Sequence, residues 1–242
     1  MTVDAQHSKV AALSVFFPSY NEEANIEETV TKALAILPTV AREWEIIVVN
    51  DGSSDRTGEI AESMAAKEPR IRVITHSPNR GYGAALKSGL YNARFDLIAF
   101  TDADGQFDLA EISQFLETKA KTGADAVIGY YLKRQVPFYR ILGSKLLWEP
   151  AVYLLFGLKV RDIDCGFKLI DKKVADRITD LESERGPFIS SELLIKAKKA
   201  GFRIVEIGVH HYPRRGGKAT GASLKVILGG FSDLFRLWRK LR

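Results

Sequence analysis

Leu97-Ile98-Ala99-Phe100-Thr101-Asp102-Ala103-Asp104-Gly105-Gln106 is the stretch whose reading decides the fold. Residues 97–100 are apolar, too few for a helix and bounded by polar residues, which predicts a buried strand. Asp102 and Asp104 follow at alternate positions, so at the carboxyl end of a strand they leave the sheet facing the same way. Paired carboxylate oxygens suit a hard divalent cation, Mg²⁺ or Mn²⁺, which often shares them with a ligand's phosphates. A solvated turn is the competing reading, because Asp and Gly are common turn residues.

Outward from this stretch the same grammar repeats. Residues 12–17, 45–49, 71–75, 126–130 and 203–209 are β-rich apolar runs and predict strands. Helices are expected over 23–37, 56–67, 84–93 and 109–121. The first carries Ile26, Val30, Ala33, Leu34 and Leu37 at helical spacing with Pro38 after it, and Asp55 is the expected cap of the second. Strict alternation of strand and helix gives an α/β, mostly parallel Rossmann-like sheet with helices on both faces. In such sheets the ligand lies outside the carboxyl ends of the strands. Three polar clusters fall there: residues 19–22, 50–55 and 102–106.

A dinucleotide site is the obvious competitor, since Gly81-Tyr82-Gly83 resembles the start of a Gly-x-Gly-x-x-Gly loop. The third glycine is replaced by Leu86, and the loop follows the third strand rather than the first. A Gly-x-x-x-x-Gly-Lys-Ser/Thr loop, the mark of a P-loop NTPase, is absent from the sequence.

The 242 residues are 46% hydrophobic and 27% charged, a globular balance that excludes collagenous and low-complexity classes. The net charge of +5 is unevenly spread. Basic residues gather over 133–145, over 214–218 and in the last helix, a pattern for phosphate ligands, nucleic acid or an anionic membrane. The single cysteine, Cys165, cannot form an internal disulfide, which fits a reducing compartment. Residues 1–9 lack the apolar run of a signal peptide, and the absence of a run of about 18 apolar residues argues against a membrane span.

Phe17-Pro18-Ser19-Tyr20-Asn21-Glu22-Glu23, Val48-Val49-Asn50-Asp51-Gly52-Ser53-Ser54-Asp55, Asn79-Arg80-Gly81-Tyr82-Gly83 and the Asp102/Asp104 stretch together resemble the family 2 inverting glycosyltransferases of GT-A fold. Gly157-Leu158-Lys159-Val160-Arg161-Asp162 and Cys165-Gly166-Phe167-Lys168-Leu169 resemble the dolichol-phosphate mannose synthase branch, the polyprenyl-phosphate glycosyltransferases. The resemblance covers roughly residues 12–220. It implies a nucleotide-sugar donor held by Pro18, Tyr20, Glu22, Val49, Asp51, Asp102, Ala103, Asp104, Gln106, Arg214 and Lys218. Asp51 is the implied base or ribose acceptor, and Asn50 stands where many relatives carry Asp. Asp102, Asp104 and Gln106 are the implied metal site, and Asp104, Asp162 and Lys145 the implied catalytic residues, with Asp164 a second candidate near Asp162.

Arg134 and Lys145 match the acceptor-phosphate cations of that branch, in a basic stretch with Lys133, Phe138, Tyr139, Arg140 and Trp148. A solvated basic face is the alternative. After the last strand the branch shows Arg-x-x-Gly-x-Ser-Lys. Here Arg214 and Gly217 match, Ala219 and Thr220 depart from it, and Lys218 stands in for the missing cation. His210 and His211, lacking ligand spacing to other His or Cys, read as structural. A polyprenyl phosphate acceptor is largely a dianion near neutral pH, with a second pKa of about 6, and needs no general base. A sugar hydroxyl needs one. Glu192 is the candidate base for a saccharide- or protein-glycosylating rival, or else caps or packs a helix. A second rival is a non-catalytic subunit that binds nucleotide sugar.

The expected organisation is one glycosyltransferase domain over 1–222, with interfacial helices about 133–160, and a basic amphipathic helix over 223–242. In that tail Ile227, Phe231, Leu234, Phe235, Trp238 and Leu241 share a face, with Lys225, Arg236, Arg239, Lys240 and Arg242 around it. The composition suits a helix lying in an anionic membrane interface, or one packed on the domain or a partner membrane protein. The expected partners are therefore a nucleotide sugar, a polyprenyl phosphate and the cytoplasmic membrane face. GDP-mannose leads the candidate donors, followed by UDP-hexoses.

Overall fold

Apolar strands with no charged gap must be covered on both faces, and the fold does this with one central sheet. The computed structural model describes residues 9–133, 148–184, 186, 188–214, 216 and 224–242. In chain order the elements are β1 (Val10–Ser19), α1 (Ile26–Val40), β2 (Ala41–Asn50), α2 (Thr57–Lys67), β3 (Ile71–Thr75), α3 (Tyr82–Asn92) and β4 (Leu97–Phe100). A 3₁₀ turn (Leu109–Glu111) leads into α4 (Ile112–Thr122), then β5 (Ala126–Tyr131), α5 (Glu149–Phe156), β6 (Lys168–Asp171), α6 (Lys172–Arg177), α7 (Phe188–Lys199), β7 (Ile204–Val209) and α8 (Leu224–Leu241).

The sheet runs β3-β2-β1-β4-β6-β5-β7. All ladders are parallel except those that β6 makes with β4 and β5. The predicted mostly parallel α/β sheet is therefore present, with one reversed strand that sequence periodicity missed because β6 has only four residues. That reversal matters for the site. It pairs Lys168 with Phe100, so the start of β6 lies beside the end of β4. The carboxyl ends of β1, β2, β4, β5 and β7 thus share one rim with the amino end of β6.

One face of the sheet packs Leu13, Val15, Phe17, Ile46 and Val48 under α1 and α4. The other packs Phe16, Ile47, Val49, Ile98 and Phe100 under α3, α6 and α7. The alternation within β1 and β2 is the strand period of two, both faces apolar because both are covered. α1 runs past the expected stop, with Pro38 inside its last turn. A proline there forfeits one ladder bond, but Ala41 N–H still closes on Leu37 O, so the helix continues to Val40.

α8 packs by Phe231, Leu234, Leu237 and Leu241 onto a third cluster with Val152, Leu158, Phe188 and Ile195. Trp148 meets Phe231 edge-on at 5.1 Å and Phe188 at 5.9 Å. Much of the stripe expected to face a membrane therefore faces the domain, because α5 and α7 leave an apolar groove that it fills. Among the described residues, no helix is long and apolar enough to cross a membrane.

Candidate active site

The strand directions deliver three separated segments to the rim: 19–25 after β1, 101–106 after β4, and 210–214 after β7. In the first, Asn21 adopts a left-handed backbone with φ 54, a conformation Asn tolerates. Its side-chain Oδ1 accepts Ser54 N–H at 2.8 Å, and its own N–H meets Ser53 Oγ at 3.0 Å. Asp55 Oδ1 accepts Thr57 N–H at 3.0 Å, the capping role expected of it, although the helix boundary falls at Arg56.

In the second segment Asp104 Oδ1 accepts the Gln106 N–H at 3.0 Å and folds the loop. Asp102 Oδ1 accepts the Tyr82 hydroxyl at 3.0 Å. On its other side Asp102 lies against Gly166, where a Cβ would stand 2.6 Å from Oδ2. Only glycine admits that approach, which gives the Gly166-Phe167 pair a physical reason. Burial pushes the Asp102 carboxyl up, Asp104 pushes it further, and it reaches about 7. Burial raises Asp104 and Glu22 as well.

The third segment answers this crowded negative charge. Arg214 Nη1 donates to Asp104 Oδ2 at 3.1 Å, Nη2 pairs with Glu22 Oε1, and Nε donates to Gly216 O at 2.6 Å. One guanidinium thus joins the ends of β1 and β4 to the segment after β7. The approach is set by a two-bond staple: Tyr212 N–H donates to Gln106 O at 2.9 Å, and Gln106 Nε2 donates to Tyr212 O at 3.0 Å. Gln106 therefore spends its amide on the backbone, a correction to its expected place among the metal ligands. His210 pairs with buried Glu111, and His211 packs edge-on against Tyr131 at 4.6 Å and Phe107 at 5.6 Å.

Asp51 closes the end of β2 and is 2% exposed. Its Oδ1 takes His76 Nδ1 at 2.6 Å and Arg80 N–H at 3.0 Å, and its Oδ2 takes Asn79 Nδ2 and Gly81 N–H, each at 2.8 Å. Gly52 follows at φ +66, with Asn79 N only 2.6 Å from where a Cβ would stand, so the turn requires glycine.

Of the other expected donor contacts, Tyr20 is exposed at the rim and Pro18 is buried in β1. Val49 and Ala103 are fully buried with their side chains in the two cores, so the backbone is what they can offer a ligand. Asp162 is buried before β6, in the field of Lys168. Lys168 is wholly enclosed. Its Nζ donates to Cys165 O and sits 5.7 Å from the Phe100 ring, and burial lowers its pKa. Burial pushes the Cys165 thiol up to about 12, which makes it inert. Glu192, the rival base, is 1% exposed and spent: it accepts Glu182 and Ser183 N–H, both at 2.9 Å, and pairs with Lys196 at 2.9 Å. Arg134, Lys145 and Lys218 lie outside the described residues. Tyr82 and Lys168 stood inside quoted motifs without an assigned role. His76 carried no sequence signal at all.

Two oxygen-donor carboxylates, raised by burial and mutual repulsion, fit a hard cation. Among the described residues no three His, Cys, Asp or Glu side chains converge as a metal cage. An ion on Asp102 and Asp104 would take its remaining oxygens from a ligand, as Mg²⁺ does with phosphates.

The glycosyl transferase family 2 model matches residues 14–179. Glycosyltransferase AglD of Haloferax volcanii is 32% identical over 95% of this chain and 37% of its own. Dolichyl-phosphate beta-glucosyltransferase ALG5C of Trichomonas vaginalis is 32% identical over 79% of this chain and 61% of its own. Undecaprenyl-phosphate 4-deoxy-4-formamido-L-arabinose transferase of Edwardsiella ictaluri is 31% identical over 89% of this chain and 64% of its own. The chain thus spans less than two thirds of the length of these relatives. Glucosyl-3-phosphoglycerate synthase of Mycobacterium tuberculosis, solved with Mn²⁺, UDP-glucose and phosphoglyceric acid, superposes with a TM-score of 0.68 at 21% identity, over 93% of this chain and 77% of its own. That likeness shows the GT-A fold. With the family model spanning the sheet from β1 to α6, the chain belongs to glycosyl transferase family 2.

Proposed function

We propose that this chain transfers a sugar, with inversion, from a nucleotide diphosphate donor to a polyprenyl phosphate. The carrying observation is the Asp102/Asp104 pair on the ligand-binding rim, with Arg214 within 3.1 Å of Asp104. The names of three relatives, two of them lipid-phosphate glycosyltransferases, support the acceptor class.

In this reading Asp102 and Asp104 hold Mg²⁺ or Mn²⁺ together with the donor's diphosphate. Bound there, the cation neutralises charge that builds on the departing nucleotide. Tyr20, Asp51 and the backbone near Pro18, Val49 and Ala103 shape the nucleoside end. Arg214 exchanges its carboxylate partners for donor phosphate, to which guanidinium binds bidentately. Gln106 holds that arginine's segment in reach through Tyr212. Arg134, Lys145 and Lys218 supply cations for acceptor and donor phosphates, and Asp162 orients the acceptor end. The acceptor attacks as a phosphate dianion, so no side chain is assigned as general base. The engagement of Glu192 argues against the hydroxyl-acceptor rival.

A lipid acceptor calls for a membrane surface, and the proposed place of action is the cytoplasmic face. Phe235 is 55% exposed on α8, flanked by Arg236 and Arg239, and meets anionic headgroups in this proposal. Residues 1–222 form the catalytic unit, and α8 completes its core while presenting that outer edge.

The test is incubation of labelled GDP-mannose and UDP-glucose with a short polyprenyl phosphate and Mn²⁺. Mannose is the sugar the branch motifs favour, and the glucosyltransferase name of one relative adds weight to glucose. An organic-extractable labelled product is expected from one of them. A water-soluble glycan product overturns the acceptor assignment.

A further inference from the structure

We infer that His76 is a positioning residue of the donor site, acting through Asp51, and that Asp51 is the hub of the 79–82 turn rather than the acceptor for the base. This rests on the donor-site reading above. A carboxylate offers about four lone-pair sites. In Asp51 all four are claimed from within the chain: His76 Nδ1 (2.6 Å) and Arg80 N–H (3.0 Å) on Oδ1, Asn79 Nδ2 (2.8 Å) and Gly81 N–H (2.8 Å) on Oδ2. A nucleobase could displace one of these only by opening the turn.

His76 is built to hold that hub. It is 7% exposed, and its N–H donates to Asn50 O at 2.9 Å, which locks it beside the end of β2. Its ring is gripped on both edges, by Asp51 on Nδ1 and by Ser88 Oγ of α3 at 2.8 Å on Nε2. Facing an ionised carboxylate, Nδ1 carries the proton, and Nε2 of the neutral ring accepts the Ser88 hydroxyl. A ring held at both nitrogens fixes the orientation of the carboxylate it serves, as outer-shell partners do in metal sites.

The consequence reaches across the rim. The turn that Asp51 organises runs straight into Tyr82, whose hydroxyl holds Asp102 at 3.0 Å. Ser88, His76, Asp51, the 79–81 backbone, Tyr82 and Asp102 therefore form one continuous chain from the nucleoside end to the metal end. His76 touches neither ligand, yet it sets the position of a carboxylate at each end.

The test uses the full chain with His76→Ala, His76→Asn and Asp51→Asn. Hydrogen exchange reads the Arg80 and Gly81 amides, and calorimetry with Mn²⁺ reads UDP and GDP binding. His76→Ala is expected to speed exchange of both amides and to weaken UDP and GDP by the same factor, roughly tenfold for one lost charge-assisted bond. His76→Asn, whose amide nitrogen can take the place of Nδ1, is expected to recover most of both. Unchanged exchange in His76→Ala overturns the hub. A shifted UDP:GDP ratio in Asp51→Asn overturns it too, since Asp51 would then read the base. If the wild-type chain binds neither nucleotide, the donor-site reading falls while the exchange measurement still decides the hub. Should His76→Ala fail to fold, His76→Phe, which fills the space without a donor, replaces it in the same measurements.

Discussion

The Tyr82 hydroxyl donates to Asp102 Oδ1 at 3.0 Å, from the first residue of α3 to the second residue beyond β4. The phenol is itself enclosed, and burial followed by the Asp102 charge pushes its pKa well up, so it stays a donor across the working pH range. Tyr82→Phe keeps the ring and deletes that donor. Mn²⁺ affinity measured without nucleotide is expected to fall roughly tenfold, with the melting temperature little changed. Unaltered Mn²⁺ affinity would remove Tyr82 from the site.

Asp104→Ala removes the carboxylate that faces Arg214, while Glu22 still pairs with the guanidinium. Turnover is expected to drop roughly a hundredfold or more, the scale of losing one preorganised electrostatic contact, and the circular dichroism spectrum to stay native. Retained turnover would sink the metal–diphosphate assignment.

The Asp102 carboxyl ionises at 3.8 in the unfolded chain and at about 7 in the metal-free fold. The folded state binds that proton more tightly, so the contribution is complete below 3.8 and lost as pH rises through about 7. The stability difference between wild type and Asp102→Asn is therefore expected to shrink or reverse from pH 5 to pH 8, about the interval the shift spans. Mn²⁺ must displace the same proton, so its affinity is expected to rise with pH up to about 7 and then level off. Calorimetry across that range checks both.

Glu192→Ala strands Lys196 and two backbone N–H groups in the interior. Breaking such a buried pair is expected to cost about 3 kcal/mol or more in urea unfolding. Activity per folded molecule is expected to persist, because Glu192 does not reach the rim. Its selective loss would revive Glu192 as a base.

The two sides of α8 separate by mutation. Leu237 is 5% exposed within the third cluster, so Leu237→Ala is expected to cost about 2–3 kcal/mol of stability. Phe235, 55% exposed and packed only on Trp238 at 5.6 Å, is different. Phe235→Ser is expected to leave unfolding unchanged and weaken binding to anionic vesicles. Equal vesicle affinity would assign the outer edge to ordinary surface.

Read alone, the sequence determined the alternation of strand and helix, the rim on which the ligand sits and the family, because apolar period and turn chemistry are local properties. Asp102, Asp104, Glu22 and Arg214 were legible for the same reason: each stands in a short motif at a predicted strand end. Only the tertiary structure decided what those groups touch. Gln106 turned to the Tyr212 backbone, Glu192 to two amides and Lys196, and the apolar stripe of α8 to the groove between α5 and α7. His76 and Lys168 acquired neighbours far away in the chain, and the reversed β6 brought Gly166 against Asp102. A side chain's partner depends on which distant segments the sheet brings within about 3 Å, the reach of a hydrogen bond. Residue type and spacing carry no record of that distance.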